Sequence, residues 1–206
     1  MAKLYITRHG QTQWNEERRL QGSKNSALTK LGLQQAMWLS TALIDVEFDA
    51  IYASPLERAQ TTAEILRADR KIEIQTIDDL RECNFGIWEG WRIDEIDEKF
   101  PEESHNFWNQ PELYKPIDGE TFESVEERVL ATIKKIGEEK EGNILIVAHG
   151  IVVKVLMNYF MKLGIETLWE NFVKPTSLSI VDFKSLDDYD VRLYGDTSHY
   201  KKELDK

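Results

Sequence analysis

Cysteine is nearly absent from this chain. Cys83 is its one cysteine in 206 residues, which excludes an intrachain disulfide and leaves the fold to its core. Histidine is scarce, at 4 residues, and the chain has neither a His-Glu-x-x-His nor a paired-aspartate metal motif. Low-complexity tracts and internal repeats are missing. So is a membrane span: the most apolar stretch, Ile144 to Ile165, is broken by His149, Lys154 and Lys162. Met1-Ala2-Lys3 runs straight into a strand pattern, without the apolar region of a signal peptide. These absences point to a cytoplasmic protein with no metal and no cofactor. Positive charge is also in short supply. The net charge is -11, which argues against nucleic acid or an anionic membrane as partner. A chain this acidic can hold an anion only in a locally basic pocket.

Hydrophobic residues make up 41% of the chain, ample for a core, and the length suits one α/β domain over 1–206. Strand and helix patterns alternate, which predicts a three-layer α/β/α sandwich with a mainly parallel central sheet. The expected strands are Leu4–Thr7, Ala50–Ala53, Ile72–Ile77, Asn143–Ala148, Ser177–Phe183 and Asp190–Tyr194. A helix is expected from Lys30 to about Ile44 with Thr29 as its N-cap. A second begins at Ser54-Pro55-Leu56-Glu57, where a capping box meets proline at the first helical position, and runs to about Ala68. A third is long and amphipathic, with Phe122, Val125, Val129, Ile133 and Ile136 at helical spacing. A fourth follows His149-Gly150 to about Leu163. From Ser198 the tail reads as polar and frayed.

Between these elements, residues 85–120 differ in texture. Trp88, Trp91, Phe100, Phe107, Trp108 and Tyr114 crowd together, and ten carboxylates face three bases, Arg92, Lys99 and Lys115. The segment reads as a short helical excursion lying over the strand ends and forming a substrate rim, with at least half of its aromatics serving ordinary packing.

Four polar groups fall at or near the carboxyl ends of four expected strands: Arg8-His9, Arg58, Glu82 and His149. That edge of an open α/β sheet is where ligands bind. Each residue alone has an ordinary explanation, as a helix cover, a surface carboxylate or a core histidine. Their coincidence at one edge does not. Two arginines and two histidines form a mostly cationic cup whose natural guest is a phosphoryl group. One histidine can attack in line while the other donates to an equatorial oxygen. The helix after Gly150 offers further amide donors to the anion. Glu82 supplies the proton source the cup lacks, and apolar neighbours would raise its pKa. That expectation carries a mildly acidic optimum with it. Cys83 is not a rival nucleophile of the tyrosine-phosphatase kind, because Glu89 stands where that loop requires arginine.

Leu-Tyr-Ile-Thr-Arg-His-Gly-x-Thr-x-Trp-Asn at the start closely resembles the histidine phosphatase superfamily, the phosphoglycerate mutase-like fold. The resemblance continues through Leu20-Gln21-Gly22, Ser54-Pro55-Leu56-x-Arg58-Ala59, Leu80-Arg81-Glu82 and Val147-Ala148-His149-Gly150, and spans residues 4 to about 196. It implies that His9 is the nucleophile that becomes phosphorylated. Glu82 would be proton donor and then acceptor, with Arg8, Arg58 and His149 binding the phosphoryl group. Asn15 would join them, and Gln21 and Gly22 would serve the substrate side. The implied activity is a metal-independent phosphomonoesterase of the broad-specificity branch, acting on a small-molecule phosphate monoester, as a monomer or homodimer. A cofactor-dependent phosphoglycerate mutase is the alternative, against which the shortage of bases in 85–120 argues. A silent phosphoanion-binding module is a third reading, opposed by the presence of both His9 and Glu82.

Overall fold

The computed structural model describes residues 1–201. Its centre is a six-stranded sheet in the order β3-β2-β4-β1-β5-β6. The strands are β1 Ala2–Arg8, β2 Ala50–Ala53, β3 Ile74–Thr76, β4 Gly142–Ala148, β5 Leu178–Ser185 and β6 Asp188–Asp196. The first four run parallel, and β5 and β6 close one edge as an antiparallel hairpin. The mainly parallel sheet expected from the alternation is therefore observed, with a mixed edge. The helices are α1 Gln13–Glu16, α2 Lys30–Ala42, α3 Glu57–Arg67, α4 Ile93–Lys99, α5 Pro101–Asn109, α6 Phe122–Glu139 and α7 Gly150–Phe160. Among the described residues, no helix is long and apolar enough to cross a membrane.

The three layers follow from side-chain alternation along the strands. In β4, Ile144, Ile146 and Ala148 face α6 and α7, whereas Leu145 and Val147 face α2 and α3. Both faces are apolar, as a central parallel strand covered on two sides requires. The expected stripe on α6 is buried throughout, from Phe122 to Ile136. Thr29 caps α2 by accepting from the Gly32 amide at 2.9 Å. Gly10 and Gly32 let α2 approach the turn after β1. A Cβ on Gly10 would stand 2.4 Å from the Gly32 carbonyl oxygen.

Two sequence expectations need correction. Helix α3 begins at Glu57 with Leu56 at its N-cap and no side-chain cap. Ser54, expected to be that cap, instead lies in the turn leaving β2, with its hydroxyl committed elsewhere. The tail is not frayed at its start: the Tyr200 hydroxyl donates to the Pro175 carbonyl, and its ring packs 5.8 Å from that of Trp38. The rest of the expected tail, 202–206, lies outside the described residues.

Candidate active site

Strand register brings the two histidines together. Arg8 pairs with Ala148 across β1 and β4, so the chain leaves both strands at the same level. The His9 amide donates to the Ala148 carbonyl at 3.0 Å. The two imidazoles then meet with ring centroids 5.2 Å apart. Both are buried. Burial, with Arg58 and Arg8 nearby, holds the pKa of His9 well below the ordinary 6.5. Burial, Arg58 and His9 do the same for His149. Each ring is thus neutral at physiological pH. Nδ1 of His9 lies 2.7 Å from the Gly10 carbonyl oxygen. A carbonyl only accepts, so Nδ1 carries the proton and Nε2 keeps its lone pair. The turn is braced from α3, where the Thr62 hydroxyl accepts the Gly10 amide at 3.1 Å and donates to the Arg58 carbonyl at 2.7 Å.

The guanidinium groups are anchored at their tips. Arg58, one of the most deeply buried large side chains, donates from Nη1 to the Lys24 carbonyl and from Nη2 to the Gly22 carbonyl, both at 2.7 Å. Burial pushes its pKa down to about 10, with Glu82 opposing, so it stays a cation at neutral pH. Arg8 donates from Nη1 to the Val173 carbonyl at 2.9 Å. Among the described residues, Nε of Arg8, Nε of Arg58 and Nδ1 of His149 are buried without a hydrogen-bond partner. Buried polar atoms are normally paired. Here three of them belong to residues gathered about the histidine pair, which leaves them free to meet a ligand.

Glu82 reaches across to the start of α7. Its oxygens meet amides: Gly150 N–H at 3.0 Å and Ile151 N–H at 3.2 Å from the first turn of α7, and its neighbour Cys83 N–H at 3.0 Å. The amide of Gly150, expected to serve the anion directly, instead holds the carboxylate. The loop carrying Glu82 is pinned by the Arg128–Glu120 ion pair at 2.8 Å. Arg128 also donates to the carbonyls of Asp79 and Glu82, and Glu120 accepts the Asn84 amide.

A cleft of about 140 Å³ opens over these groups, lined by Arg8, His9, Arg58, Glu82 and Gly150 and, on the other side, by Asn15, Gln21 and Gly22. His149 sits behind it, in ring contact with His9. The Asn15 carbonyl oxygen is spent in a capping box with Thr12, which leaves its Nδ2 donors for a ligand. Gly22 adopts φ +53°, and a Cβ there would fall 2.0 Å from a Glu89 oxygen. Its carbonyl is thereby free to anchor Arg58.

The outer cleft holds two aromatics that sequence reasoning names, Phe107 and Trp108, and several residues that it does not. Of the excursion aromatics, only Phe85, Phe107 and Trp108 line it, joined by Trp169 from the loop after α7. Trp88 and Tyr114 are buried packing partners of Phe107, at 5.8 and 5.0 Å between centroids. The cleft also contains two bases from outside 85–120, Arg19 and Lys154. Arg19 is paired with Glu17 at 2.6 Å. Lys154 donates to the carbonyls of Leu168 and Asn171 and lies 5.1 Å from the Trp169 ring centroid. Burial, with Arg8 nearby, lowers its pKa to about 8. The shortage of bases within the excursion is real, but it does not describe the cleft.

Comparison with known proteins agrees with this geometry. The model of the histidine phosphatase superfamily (branch 1) matches residues 4–197. The adenosylcobalamin/alpha-ribazole phosphatase of Escherichia coli is 33% identical over 181 residues, 87% of this chain and 89% of that protein. A probable phosphoglycerate mutase, GpmB of Shigella boydii, is 32% identical over 209 residues, 97% of this chain and 95% of its own. The solved structure of Bacillus stearothermophilus YhfR superposes with a TM-score of 0.92 at 42% identity, covering 97% of this chain and 99% of that one. A buried histidine pair ringed by unpartnered cationic donors, on this sheet and with these relatives, places the chain in the histidine phosphatase superfamily, branch 1.

Proposed function

We propose that the protein is a metal-independent phosphomonoesterase that works through a phosphohistidine on His9. One observation carries this reading: the lone pair at Nε2 of His9 shares a cleft with the unpartnered donors of Arg8 and Arg58 and with the Glu82 carboxyl. In the first step Nε2 attacks phosphorus, the ester P–O bond breaks, and the Glu82 proton passes to the departing alkoxide. The amides of Cys83, Gly150 and Ile151 stabilise the carboxylate left behind. In the second step that carboxylate takes a proton from water, whose oxygen attacks phosphorus. The P–N bond breaks, its electron pair returns to His9, and phosphate leaves with Glu82 reprotonated. Fixed guanidinium charges supply the neutralisation that a metal ion supplies elsewhere. The kinship with an alpha-ribazole phosphatase and the aromatic outer cleft favour monoesters with an organic body resting on ring faces.

A second reading, a phosphoglycerate mutase-type transferase, is favoured by the GpmB relative and by Arg19 and Lys154 in the cleft. A panel of phosphate monoesters, scored for free phosphate with and without chelator, tests the proposal. Release of phosphate from 3-phosphoglycerate and neutral esters alike, unaffected by chelator, supports it. Isomerisation that needs a bisphosphate primer and releases no phosphate supports the mutase.

A further inference from the structure

The two imidazoles of the cup are both buried and both neutral, yet the chemistry asks opposite things of them. His9 must present a lone pair to phosphorus. His149 must present a proton to a phosphoryl oxygen, since a second lone pair aimed at an anion would repel it. A neutral imidazole carries one N–H, and which nitrogen bears it is fixed by what the other nitrogen meets. For His9 the Gly10 carbonyl settles the matter. For His149 the partner of Nε2 is the Ser54 hydroxyl, at 2.7 Å, and a hydroxyl can either donate or accept.

The surroundings of Ser54 decide which. Ser54 is fully buried. Its backbone is fixed on both sides: its amide donates to the Val147 carbonyl at 3.1 Å, and its carbonyl accepts from Nε2 of Gln60 at 2.6 Å. Its Oγ already accepts from the Leu56 amide at 3.3 Å. Among the described residues, the acceptor within reach of its O–H is Nε2 of His149. If Nε2–H donated instead, both the hydroxyl proton and the Nδ1 lone pair would be buried without partners, whereas the Nδ1–H tautomer leaves a single group unpaired. The O–H therefore points at Nε2, and the ring proton moves to Nδ1. That nitrogen is the buried one without a partner.

We infer that Ser54 is a positioning residue: its hydroxyl donates to Nε2 of His149, fixes the Nδ1–H tautomer, and makes a neutral imidazole the third donor of the phosphoryl cup. Both histidines then hold the same tautomer but turn opposite ends to the substrate. The arrangement adds a donor without adding a third buried positive charge beside two arginines. The inference rests on the phosphoryl-transfer reading for its purpose, but not for its test. The expected start of α3 at Ser54 accounts for the bond to Leu56 alone and leaves the contact with His149 unexplained.

Nitrogen NMR of the full chain, labelled in its histidines, reads the tautomer directly at neutral pH, with a His149→Asn variant assigning the signals. The expected result is a proton on Nδ1 of His149 in the wild type and its loss to Nε2 in Ser54→Ala. Inorganic phosphate, used as the probe, should bind Ser54→Ala about tenfold more weakly, the loss of one hydrogen bond to a charged group. Ser54→Thr, which keeps the hydroxyl, should retain the Nδ1–H signal. An Nε2–H tautomer in the wild type overturns the inference. So does a Ser54→Ala protein with unchanged tautomer and phosphate affinity. Should Ser54→Ala fail to fold, the wild-type spectrum alone decides. Absence of hydrolysis of any ester would sink the functional reading while leaving the tautomer assignment standing.

Discussion

The two ends of the cleft are built differently. The inner cup is backbone-anchored: Arg58 is held by two carbonyls, Arg8 by a third, His9 by its neighbour's carbonyl and Glu82 by amides. Arg8, His9 and Arg58 hang from a strand end or a helix start, and the loop of Glu82 is pinned by Arg128 and Glu120, so little can move. The outer rim is an assembly of rings, Phe107, Trp108 and Trp169, packed against one another with centroids 4.6 to 5.0 Å apart. Ring packing is broad and tolerant where hydrogen-bonded charge is directional. The difference implies that the cup sets the chemistry and the rim sets the range of organic bodies admitted. Changes in the cup should therefore alter turnover across all substrates, and changes in the rim should alter selectivity.

The sharpest break in that comparison is His9→Ala. It should lower turnover on every ester by on the order of 10⁵-fold or more while the fold persists, checked by phosphate release and by an unchanged circular dichroism spectrum. Glu82→Gln comes next. It should cost on the order of 10²–10⁴-fold for alkyl phosphates and much less for p-nitrophenyl phosphate, whose leaving group needs no proton. Equal losses across a leaving-group series would contradict the acid role. A smaller effect is expected from pH. The folded pKa values of His9 and His149 lie below the ordinary 6.5, so below that pH the unfolded chain binds more protons than the folded one. Stability from these groups is thus complete above about pH 6.5 and falls as the pH drops toward the folded values. Urea midpoints measured from pH 8 to pH 5 should decline less steeply in a His9→Gln, His149→Gln double variant. Smallest is the rim. Trp108→Ala should raise KM for esters with bulky bodies by roughly 2- to 10-fold, the loss of an aromatic contact, with little change in inhibition by inorganic phosphate. A loss of kcat across all substrates would erase the distinction between cup and rim.

The same contrast explains how much of the molecule is legible in its amino-acid sequence. The cup is legible because Arg8, His9 and His149 sit at strand ends, where an apolar run stops at a charged or imidazole side chain, as in Val147-Ala148-His149. Parallel pairing then brings those stops to one edge. Arg8, His9 and His149 converge for that reason, while Arg58 arrives from the first turn of α3 and Glu82 from the loop beyond β3. The rim is legible only in part: the aromatic texture of 85–120 marks Phe107 and Trp108, whereas Trp169 comes from a distant loop and joins them through packing alone. Nothing local to Trp169 marks it as a neighbour of Phe107. Lys154 does leave a signal, lying one helical turn beyond Gly150 on the same face of α7, but its apolar surroundings mask it. Ser54 misleads because Ser-Pro-Leu-Glu satisfies a local capping rule. The tertiary contact with His149 outranks the local one, and α3 starts two residues later. Apolar neighbours are what the sequence offers Glu82, because it places side chains nearby but not the amides of a helix that begins 68 residues on.

The central claim is that His9 takes up phosphorus, and trapping that intermediate tests it most directly. Wild-type enzyme mixed with a radiolabelled phosphate monoester and quenched during turnover should carry acid-labile, base-stable label on the peptide containing His9. The label should vanish on a chase with unlabelled ester and be missing from His9→Ala. Phosphate release without any protein-bound label, or label on a residue other than His9, would contradict the account.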